Sequence, residues 1–460
     1  MDKVFTYLKA QHARFIEELC EYLRFPSVSA QPSHARDMEA CADWLVKHCR
    51  SIGLQAERRA TSGCTVVIAK NFRARTPGKP HYLIYGHYDV QPAEPFDLWK
   101  TPPFEPRLQG RSLFARGATD NKGQNFAHLK AIEAYLKTGT EMPCDLTILL
   151  EGEEEIGSPN LAPFLKTHRE ELACDAIVIS DTGMPDKKHP ALTYSLRGVL
   201  AIELKLHGPL RDLHSGLYGG SVDNPAMVLC QLLAQLRDKR GRITVPGFYE
   251  DVQRLSAFER KQFARFPMSI RKYREMVGAP QLFGEAGFSP FEQRAARPAI
   301  EINGLTSGYQ GDGSKTIIPA WASAKLTFRL VPDQDPAKIL RLIQRQLRRL
   351  CPKTVRLEIS DGHFGEAYLV SPTGKQAQAA LRSLELAFGC KPILMREGGS
   401  IPIVTEMKKI LGADSLLLGL GLPDDNPHSP NEKFDLDCFE GGMRMSAHLW
   451  WELSAVDGSA

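Results

Sequence analysis

A chain of 460 residues is longer than one hydrophobic core usually sustains, so at least two domains are expected. Hydrophobic residues make up 43% and charged residues 24%, which is ordinary for a soluble globular protein. The 58 basic and 54 acidic residues leave a net charge of only +4, which indicates no acidic partner, and no basic arm interleaved with aromatic residues predicts nucleic-acid binding.

The N-terminal region predicts a helix over residues 3 to 24, with Phe5, Leu8, Phe15 and Leu19 on a rough apolar stripe. Its charges interrupt any apolar core of the kind a signal peptide needs, and no apolar run reaches the length of a membrane span. The ten cysteines are scattered and form no CxxC pair, so buried reduced thiols are expected. These features predict a cytoplasmic protein without a membrane partner.

Strands and helices then alternate. A helix is predicted over 37 to 52, a strand over 81 to 87, a helix over 121 to 137, and apolar strands over 146 to 150 and 176 to 180. Buried strands alternating with amphipathic helices are typical of the α/β class, here a mostly parallel sheet with helices on both faces.

The pattern changes after Ser195. Strands are predicted over 199 to 206, 299 to 302, 324 to 330 and 355 to 360, with helices over 225 to 239 and 335 to 350. The α/β pattern resumes near Ser371 with a helix over 374 to 388 and a strand over 415 to 420. We therefore predict a catalytic domain formed by 1–195 and 370–460, into which an α+β domain of 196–369 is inserted.

Acidic residues and histidines gather near the ends of the strands of the predicted parallel sheet, where ligands bind in α/β proteins. Taken singly, most have an ordinary structural interpretation: a strand-end histidine, an N-cap aspartate, a tight turn or a solvated loop. The run Glu151 to Ser158 is different, because carboxylates packed so densely against an apolar strand are costly unless cations neutralise them. The segments that contain these residues are GHYDV (86–90), RGATDNKG (116–123), EGEEEIGS (151–158), SDTG (180–183) and DDNPHSPNE (424–432).

Together these segments supply two histidines and three to five carboxylates. Imidazole and carboxylate ligands favour zinc, manganese or cobalt over calcium. There are enough ligands for two ions, and a bridging carboxylate would hold them about 3.5–4 Å apart, as in two-metal hydrolases.

The ordered segments resemble the aminoacylase/carnosinase family of metallopeptidases, most nearly its cytosolic nonspecific dipeptidase branch. The resemblance covers nearly the whole chain, in family order. Besides the segments above, it includes WKTPPF (99–104), DLHSG (212–216), KTIIP (315–319), FRLVPDQ (328–334) and REGGSIP (396–402). It implies a zinc-peptidase-like catalytic domain with an inserted lid and dimerisation domain.

The resemblance assigns the metal-site roles residue by residue. It implies that His87 and Asp181 bind one ion, zinc or manganese, and that Glu155 and His428 bind the other. Asp120 would bridge the two ions. Asp89 would orient His87, and Glu154 would be the general base that activates water and returns the proton to the leaving amine.

The resemblance also assigns the substrate-binding residues. His214 would stabilise the developing oxyanion, and in this family that histidine and the residue at Thr316 come from the partner subunit of a homodimer. Arg329 would bind the terminal carboxylate of a small peptide substrate, and Ser400 would contact the substrate as well. From the residues alone, each of these would be an ordinary loop or surface residue.

The activity implied is therefore hydrolysis of the amide bond of dipeptides or small peptides. The alternative within the family is an N-acyl amino acid or succinyl-diaminopimelate-type deacylase, which shares the same metals and base. An alternative from a different class is a binding protein that has lost the chemistry, but such a protein would be expected to lack the base or a ligand, and this chain has them all.

Overall fold

The computed structural model describes residues 1–360 and 362–456, which fall into two compact units. The first unit contains Met1–Tyr194, Val370–Met395 and the described residues from Glu406 onward, and the second contains Ser195–Leu369 and Arg396–Thr405. The predicted boundaries placed the whole of 370–460 in the catalytic domain. The segment Arg396–Thr405 instead belongs to the second unit, because residues of its first half hydrogen-bond to Arg197 and Arg329 of that unit.

The first unit is built on a sheet whose four central strands are parallel. In spatial order, the seven strands of this part of the sheet are Gln55–Arg59, Val66–Lys70, Asp145–Glu151, His81–His87, Ala176–Ile179, Ser415–Gly419 and Ala191–Leu196. The central strands are buried along their whole length, because helices pack against the sheet. The predicted α/β class is confirmed. The antiparallel outer strands were not predicted.

Three predicted helices of this unit, Ala35–Ile52, Gly123–Thr138 and Lys375–Phe388, begin and end within two residues of the predicted positions, whereas Leu161–Thr167, Arg169–Leu172 and Leu436–Ser454 were not predicted. The predicted N-terminal helix is divided at Gln11. The α-helices are Asp2–Ala10, His12–Leu23, Ala35–Ile52, Gly123–Thr138, Leu161–Thr167, Arg169–Leu172, Lys375–Phe388 and Leu436–Ser454. A smaller sheet contains Arg107–Gln109, Ser112–Phe114 and Lys433–Asp435. The strand Ile393–Glu397 and the helix Pro402–Leu411 each cross a boundary between the units.

The second unit is an antiparallel sheet with helices. Its main strands, in spatial order, are Ala299–Ser307, Trp321–Leu330, Gly198–His207 and Arg356–Ile359, and His363–Gly365 also pairs with Gly198–His207. The remaining strands are Leu213–His214, Ile317–Ile318 and Tyr368–Leu369. The helices are Ser215–Tyr218, Pro225–Ala234, Ala257–Ala264, Ile270–Val277, Pro290–Ala296 and Pro336–Leu350.

The core of the second unit lies on one face of its sheet. Along Gly198–His207 the even-numbered residues from Leu200 to Leu206 are buried and the odd-numbered ones are more exposed, as predicted for a half-buried strand. Val228 and Leu232 of one helix and Ile339 and Ile343 of another pack in the same cluster. The opposite face is therefore free to carry polar residues.

None of the helices in the described part of the chain combines the length and the apolar character needed to span a bilayer.

Candidate metal centre

The strand ends of the parallel sheet bring the predicted metal ligands to one edge. His87 is the last residue of its strand, and Asp181 follows the neighbouring strand Ala176–Ile179 by two residues. On the other side of His87, the strand Asp145–Glu151 ends directly before the loop that carries Glu154 and Glu155. Because these strands are parallel, their carboxyl ends lie at the same edge, as the sequence predicted.

Asp120 lies between two histidines. Its Oδ1 is 3.2 Å from His87 Nε2, and its Oδ2 is 2.9 Å from His428 Nε2. Each histidine has a second carboxylate: Asp181 Oδ2 is 3.7 Å from His87 Nε2, and Glu155 Oε2 is 3.4 Å from His428 Nε2. The structure thus brings the five predicted ligands together as two His–carboxylate pairs that share Asp120.

The donor atoms at this site fit divalent cations. His87 Nε2 and Glu155 Oε1 are buried and have no hydrogen-bond partner in the described part of the chain. Ligand atoms of His87, Asp120 and Glu155 all lie within 4.8 Å of one another. Buried polar atoms are normally paired, and ring nitrogens with carboxylate oxygens are the donors that zinc and manganese accept. The residues present therefore fit a pair of such ions.

The electrostatics point the same way. Burial and the nearby Asp120 raise the pKa of Glu155 to about 10, and burial together with neighbouring carboxylates raises the pKa of Glu154 and of Asp181. Burial raises the pKa of Asp120, but the nearby His428 and His87 rings outweigh it and hold this pKa below its usual value. So many buried carboxylates ionise together only when cations offset their repulsion.

A second group of possible ligands is better explained as an ion-pair network. Glu18, His48 and Glu133 have ligand atoms within 4.8 Å of one another. The ammonium group of Lys130 lies among them, with its Nζ 2.5 Å from Glu18, 2.8 Å from Glu133 and 2.8 Å from His48 Nε2. The protein thus supplies its own cation at this position, and we assign no metal to it.

Asp89 connects His87 to the loop of the predicted base. The backbone carbonyl of Asp89 lies 3.0 Å from His87 Nδ1, and its carboxylate lies 3.3 Å from the same atom. The carboxylate also accepts hydrogen bonds from the backbone N–H groups of Glu154 at 3.2 Å and Glu155 at 3.0 Å. The hydroxyl of Ser29 donates to it at 2.6 Å. Asp89 therefore positions His87 through its carbonyl and carboxylate, and the Glu154–Glu155 pair through its carboxylate.

The carboxylate of Glu154 makes no hydrogen bond or ion pair with any residue that the structure describes. Its neighbour Glu155 accepts a hydrogen bond from Gln91 Nε2 at 2.8 Å. The two adjacent glutamates therefore differ in their contacts, as different roles require.

Sequence reasoning missed Glu432, which holds the loop of Asp120. Its buried carboxylate accepts the backbone N–H groups of Gly117, Thr119 and Asp120 at 2.9–3.1 Å and pairs with Arg116 at 2.7 Å. Asn121 was missed as well, although its Nδ2 donates to Asp181 Oδ1 at 2.8 Å. Both lie inside segments that the sequence singled out, but only the folded chain shows what they contact.

Within the second unit, Arg329 and Ser400 are in contact. Arg329 Nη1 donates to Ser400 Oγ at 3.0 Å, and Ser400 Oγ donates to the backbone carbonyl of Arg197 at 2.6 Å. Arg197, which the sequence did not single out, adds a second guanidinium beside the pair. Burial and the positive charge of Arg329 lower the pKa of Arg197 to about 10.

His214 and Thr316 are also neighbours in the second unit. His214 pairs with Ile317 across two short antiparallel strands, and the backbone N–H of Ser215 donates to the carbonyl of Thr316 at 3.0 Å. Both side chains are exposed. His214 Nδ1 accepts the N–H of Gly216 at 3.0 Å, so the neutral ring carries its proton on Nε2.

Known proteins resemble this chain over nearly its full length. The Cys-Gly metallodipeptidase dug1 of Schizosaccharomyces pombe is 31% identical, over 99% of each chain. Among solved structures, the dipeptidase Dug1p of Saccharomyces cerevisiae superposes with a TM-score of 0.84 at 30% identity, and human carnosine dipeptidase 1 with 0.85 at 27%, each covering 99% of both chains. The sequence profile of peptidase family M20/M25/M40 matches residues 83–452. This match and these relatives show that the chain belongs to peptidase family M20/M25/M40.

Proposed function

We propose that this protein is a dinuclear metallopeptidase that hydrolyses the amide bond of dipeptides. The observation that carries the proposal is the position of Asp120, whose two carboxylate oxygens face His87 and His428. A second carboxylate lies beside each histidine, Asp181 beside His87 and Glu155 beside His428. A shared carboxylate between two His–carboxylate pairs is the arrangement of two-metal hydrolases.

The relatives support a dipeptide as the substrate. Similar proteins are named for cleavage of Cys-Gly and of β-Ala-His, both of which are dipeptides with a free carboxylate. The contact between Arg329 and Ser400 offers a guanidinium and a hydroxyl to such a carboxylate. We therefore propose that these two residues hold the substrate's C-terminal end.

The proposed chemistry divides among the chain's own residues. Two bound ions would supply Lewis acidity toward the substrate carbonyl and toward water. Glu154 accepts the proton of the attacking water and delivers it to the leaving amine, the work of a general base that then acts as general acid. His214 donates from Nε2 to the oxyanion that develops on the carbonyl oxygen, because its Nδ1 is already used as an acceptor.

We further propose that the protein acts as a homodimer in the cytoplasm. The family resemblance implies that His214 and Thr316 serve the partner's site, and both are exposed on neighbouring short strands in this chain. All ten cysteines are free, which suits a reducing compartment.

The test is hydrolysis of a small panel after the metal has been stripped and restored. The panel contains Ala-Ala, N-acetyl-Ala-Ala, an N-acetyl amino acid and N-succinyl-diaminopimelate, each with zinc or manganese. We expect turnover of Ala-Ala alone, dependent on the added ion. Turnover of only the acylated compounds would show that the enzyme is a deacylase with the same metal centre, and turnover of none, with two metals bound, would contradict the proposal.

A further inference from the structure

An excess of positive charge surrounds the Arg329–Ser400 pair in the second unit. Arg329 pairs with Ala299 on one neighbouring strand and with Val199 on the other. Residues paired directly across antiparallel strands project from the same face. The next residues, Ile300, Phe328 and Leu200, are buried in the core on the other face. Arg329 and Ala299, and two residues further along Glu301, therefore project from the face opposite the core.

Arg197 is fixed in place beside this face. Its Nε donates to the carbonyl of Gly398 at 3.1 Å, and its Nη1 donates to the carbonyl of Arg297 at 3.3 Å. A Cβ at Gly398 would lie 2.4 Å from the carbonyl oxygen of Arg294 and 3.0 Å from Arg197 Nη2. The absence of a side chain at Gly398 thus lets Arg197 approach the helix that carries Arg294.

Arg197 and Arg294 both line a cavity of about 330 Å³ within this unit, together with Tyr273 and Glu301. The guanidinium of Arg294 lies over the rings of Phe266 and Tyr273, 5.5 and 5.9 Å from their centroids, which holds it at the cavity. Arg197 therefore belongs both to the wall of the cavity and to the surroundings of the Arg329–Ser400 pair.

The charges do not balance without a ligand. In the described part of the chain, no carboxylate lies within ion-pair distance of Arg197, Arg294 or Arg329. Arg237 lines the cavity as well, so together with Arg329 there are four cations, and Glu301, the acidic residue of the cavity wall, offsets one of them. A substrate's terminal carboxylate would offset a second, which leaves two guanidinium groups without a counter-charge.

We propose that this cavity is a subsite for an acidic side chain, so that the preferred substrates are dipeptides with a C-terminal Asp or Glu. The inference rests on the proposed function, in which Arg329 and Ser400 hold the terminal carboxylate. Arg197 and Arg294 bind the second carboxylate, and Glu301 limits how strongly they do so.

The test compares kcat/KM for isosteric pairs, Ala-Asp with Ala-Asn and Ala-Glu with Ala-Gln. We expect the acidic member to be preferred about tenfold, since hydrogen bonds to a charged group are stronger by about that factor. The ratio should fall as salt is added. Hydrolysis of Ala-Asn as efficient as that of Ala-Asp would overturn the inference and leave the proposed function standing, whereas hydrolysis of neither these dipeptides nor Ala-Ala would contradict the proposed function itself.

Two variants locate the effect. Arg294→Gln should lower the Ala-Asp to Ala-Asn ratio toward one, and Glu301→Gln should raise it, because it removes the competing carboxylate. Arg271→Gln is the matched control: its side chain is 83% exposed, it pairs with Glu275, and it should leave the ratio unchanged. If the Ala-Asp to Ala-Asn ratio is unchanged in both Arg294→Gln and Glu301→Gln, the acidic side chain of the substrate does not bind in this cavity, and the proposal is rejected.

Discussion

In the proposed metal centre, the side chain of Asp120 would join the two ion sites into a single unit. Its two oxygens face different histidines, and its backbone N–H is held by Glu432. A carboxylate that bridges two ions would contribute to the binding of both. Changes at this residue should therefore affect both ions together, whereas changes at Asp181 or Glu155 should affect one first.

Glu154→Gln tests the base most directly. The amide keeps the shape of the side chain but cannot accept the proton of water, so kcat should fall by about 10²–10⁴-fold, the usual contribution of a general base. Metal content, measured by elemental analysis, should stay at the wild-type level because Glu154 is not one of the five proposed ligands. Turnover close to wild type would remove Glu154 from the role.

Asp89→Asn tests the positioning of His87 and of the Glu154–Glu155 loop. An amide in place of the carboxylate presents an N–H toward donors and loses the charge that faces His87, so metal affinity should fall about 10–100-fold. Competition with a chelator would measure it. Asp97→Asn, at an exposed position, is the control and should bind metal as the wild type does. Equal affinity in both variants would contradict the positioning role.

At the scale of elements, His128 connects the helix Gly123–Thr138 to other parts of the first unit. It hydrogen-bonds to the hydroxyls of Ser446 and Ser180, each at 2.9 Å, and is buried. Burial lowers its pKa to about 4, below the value of about 6.5 in an unfolded chain. Between these two values the unfolded chain binds a proton that the folded one does not.

The free energy of unfolding should therefore fall as pH is lowered from about 6.5 toward 4, with about 3 kcal/mol at most from His128. In His128→Gln this contribution is absent, so the decrease in Tm between pH 7 and pH 5 should be smaller than in the wild type. His189→Gln, at the surface, should keep the wild-type decrease. Identical decreases in all three proteins would show that His128 does not titrate in this way.

The sequence predicted several elements whose patterns are strong, although the buried apolar strand Val66–Lys70 was overlooked. The strand His81–His87 has the predicted bounds, and the apolar strands on either side of it were found with small errors. Two strands gave no such signal. Gln55–Arg59 is an outer strand with only Ala56 buried, and Ala191–Leu196 is wholly buried although it contains Thr193 and Ser195. Period-two alternation was absent from both.

The helix Leu436–Ser454 was missed for a different reason. Gly441 and Gly442 lie near its middle, and glycine disfavours helices. The structure explains both glycines by packing, since a Cβ at Gly441 would lie 2.5 Å from the ring of Phe388 and one at Gly442 would lie 2.4 Å from the side chain of Leu420. Packing against residues distant in sequence compensates for the low helix propensity of the two glycines. A local sequence pattern does not reveal such packing.

The proposed ligands were identified from motifs, whereas, apart from Asp89, the residues that position them were not. Asp89, which the sequence did place beside His87, lies two positions away from it. Glu432 and Asp120 are separated by 312 positions, and Arg197 and Gly398 by 201. The alternation of side chains along an extended segment predicts the contact of Asp89 with His87. Nothing in a single sequence predicts the two long-range contacts.

At the scale of the whole molecule, the proposed homodimer makes a prediction about mixed subunits. His214→Ala and Glu154→Gln should each be inactive as pure dimers. A mixed dimer has one site with an intact Glu154 and an intact His214 from the partner, so random exchange should restore up to about a quarter of the wild-type activity. Mixing without recovery, after exchange has been verified by mass, would contradict the shared site.

The ion-pair and hydrogen-bond partners described above also determine when each site can form during synthesis of the chain. The contact of Asp120 with His428 cannot form until His428, 308 positions further along the chain, has been synthesised. The contact of Arg329 with Ser400 likewise requires the later residue. At roughly 5–20 residues per second, a ribosome needs at least about 15 s to travel from one to the other of the first pair. Neither site is complete until its later partner has been synthesised, so a chain released before His428 should have no peptidase activity. The cell is then not exposed to a partly assembled hydrolase.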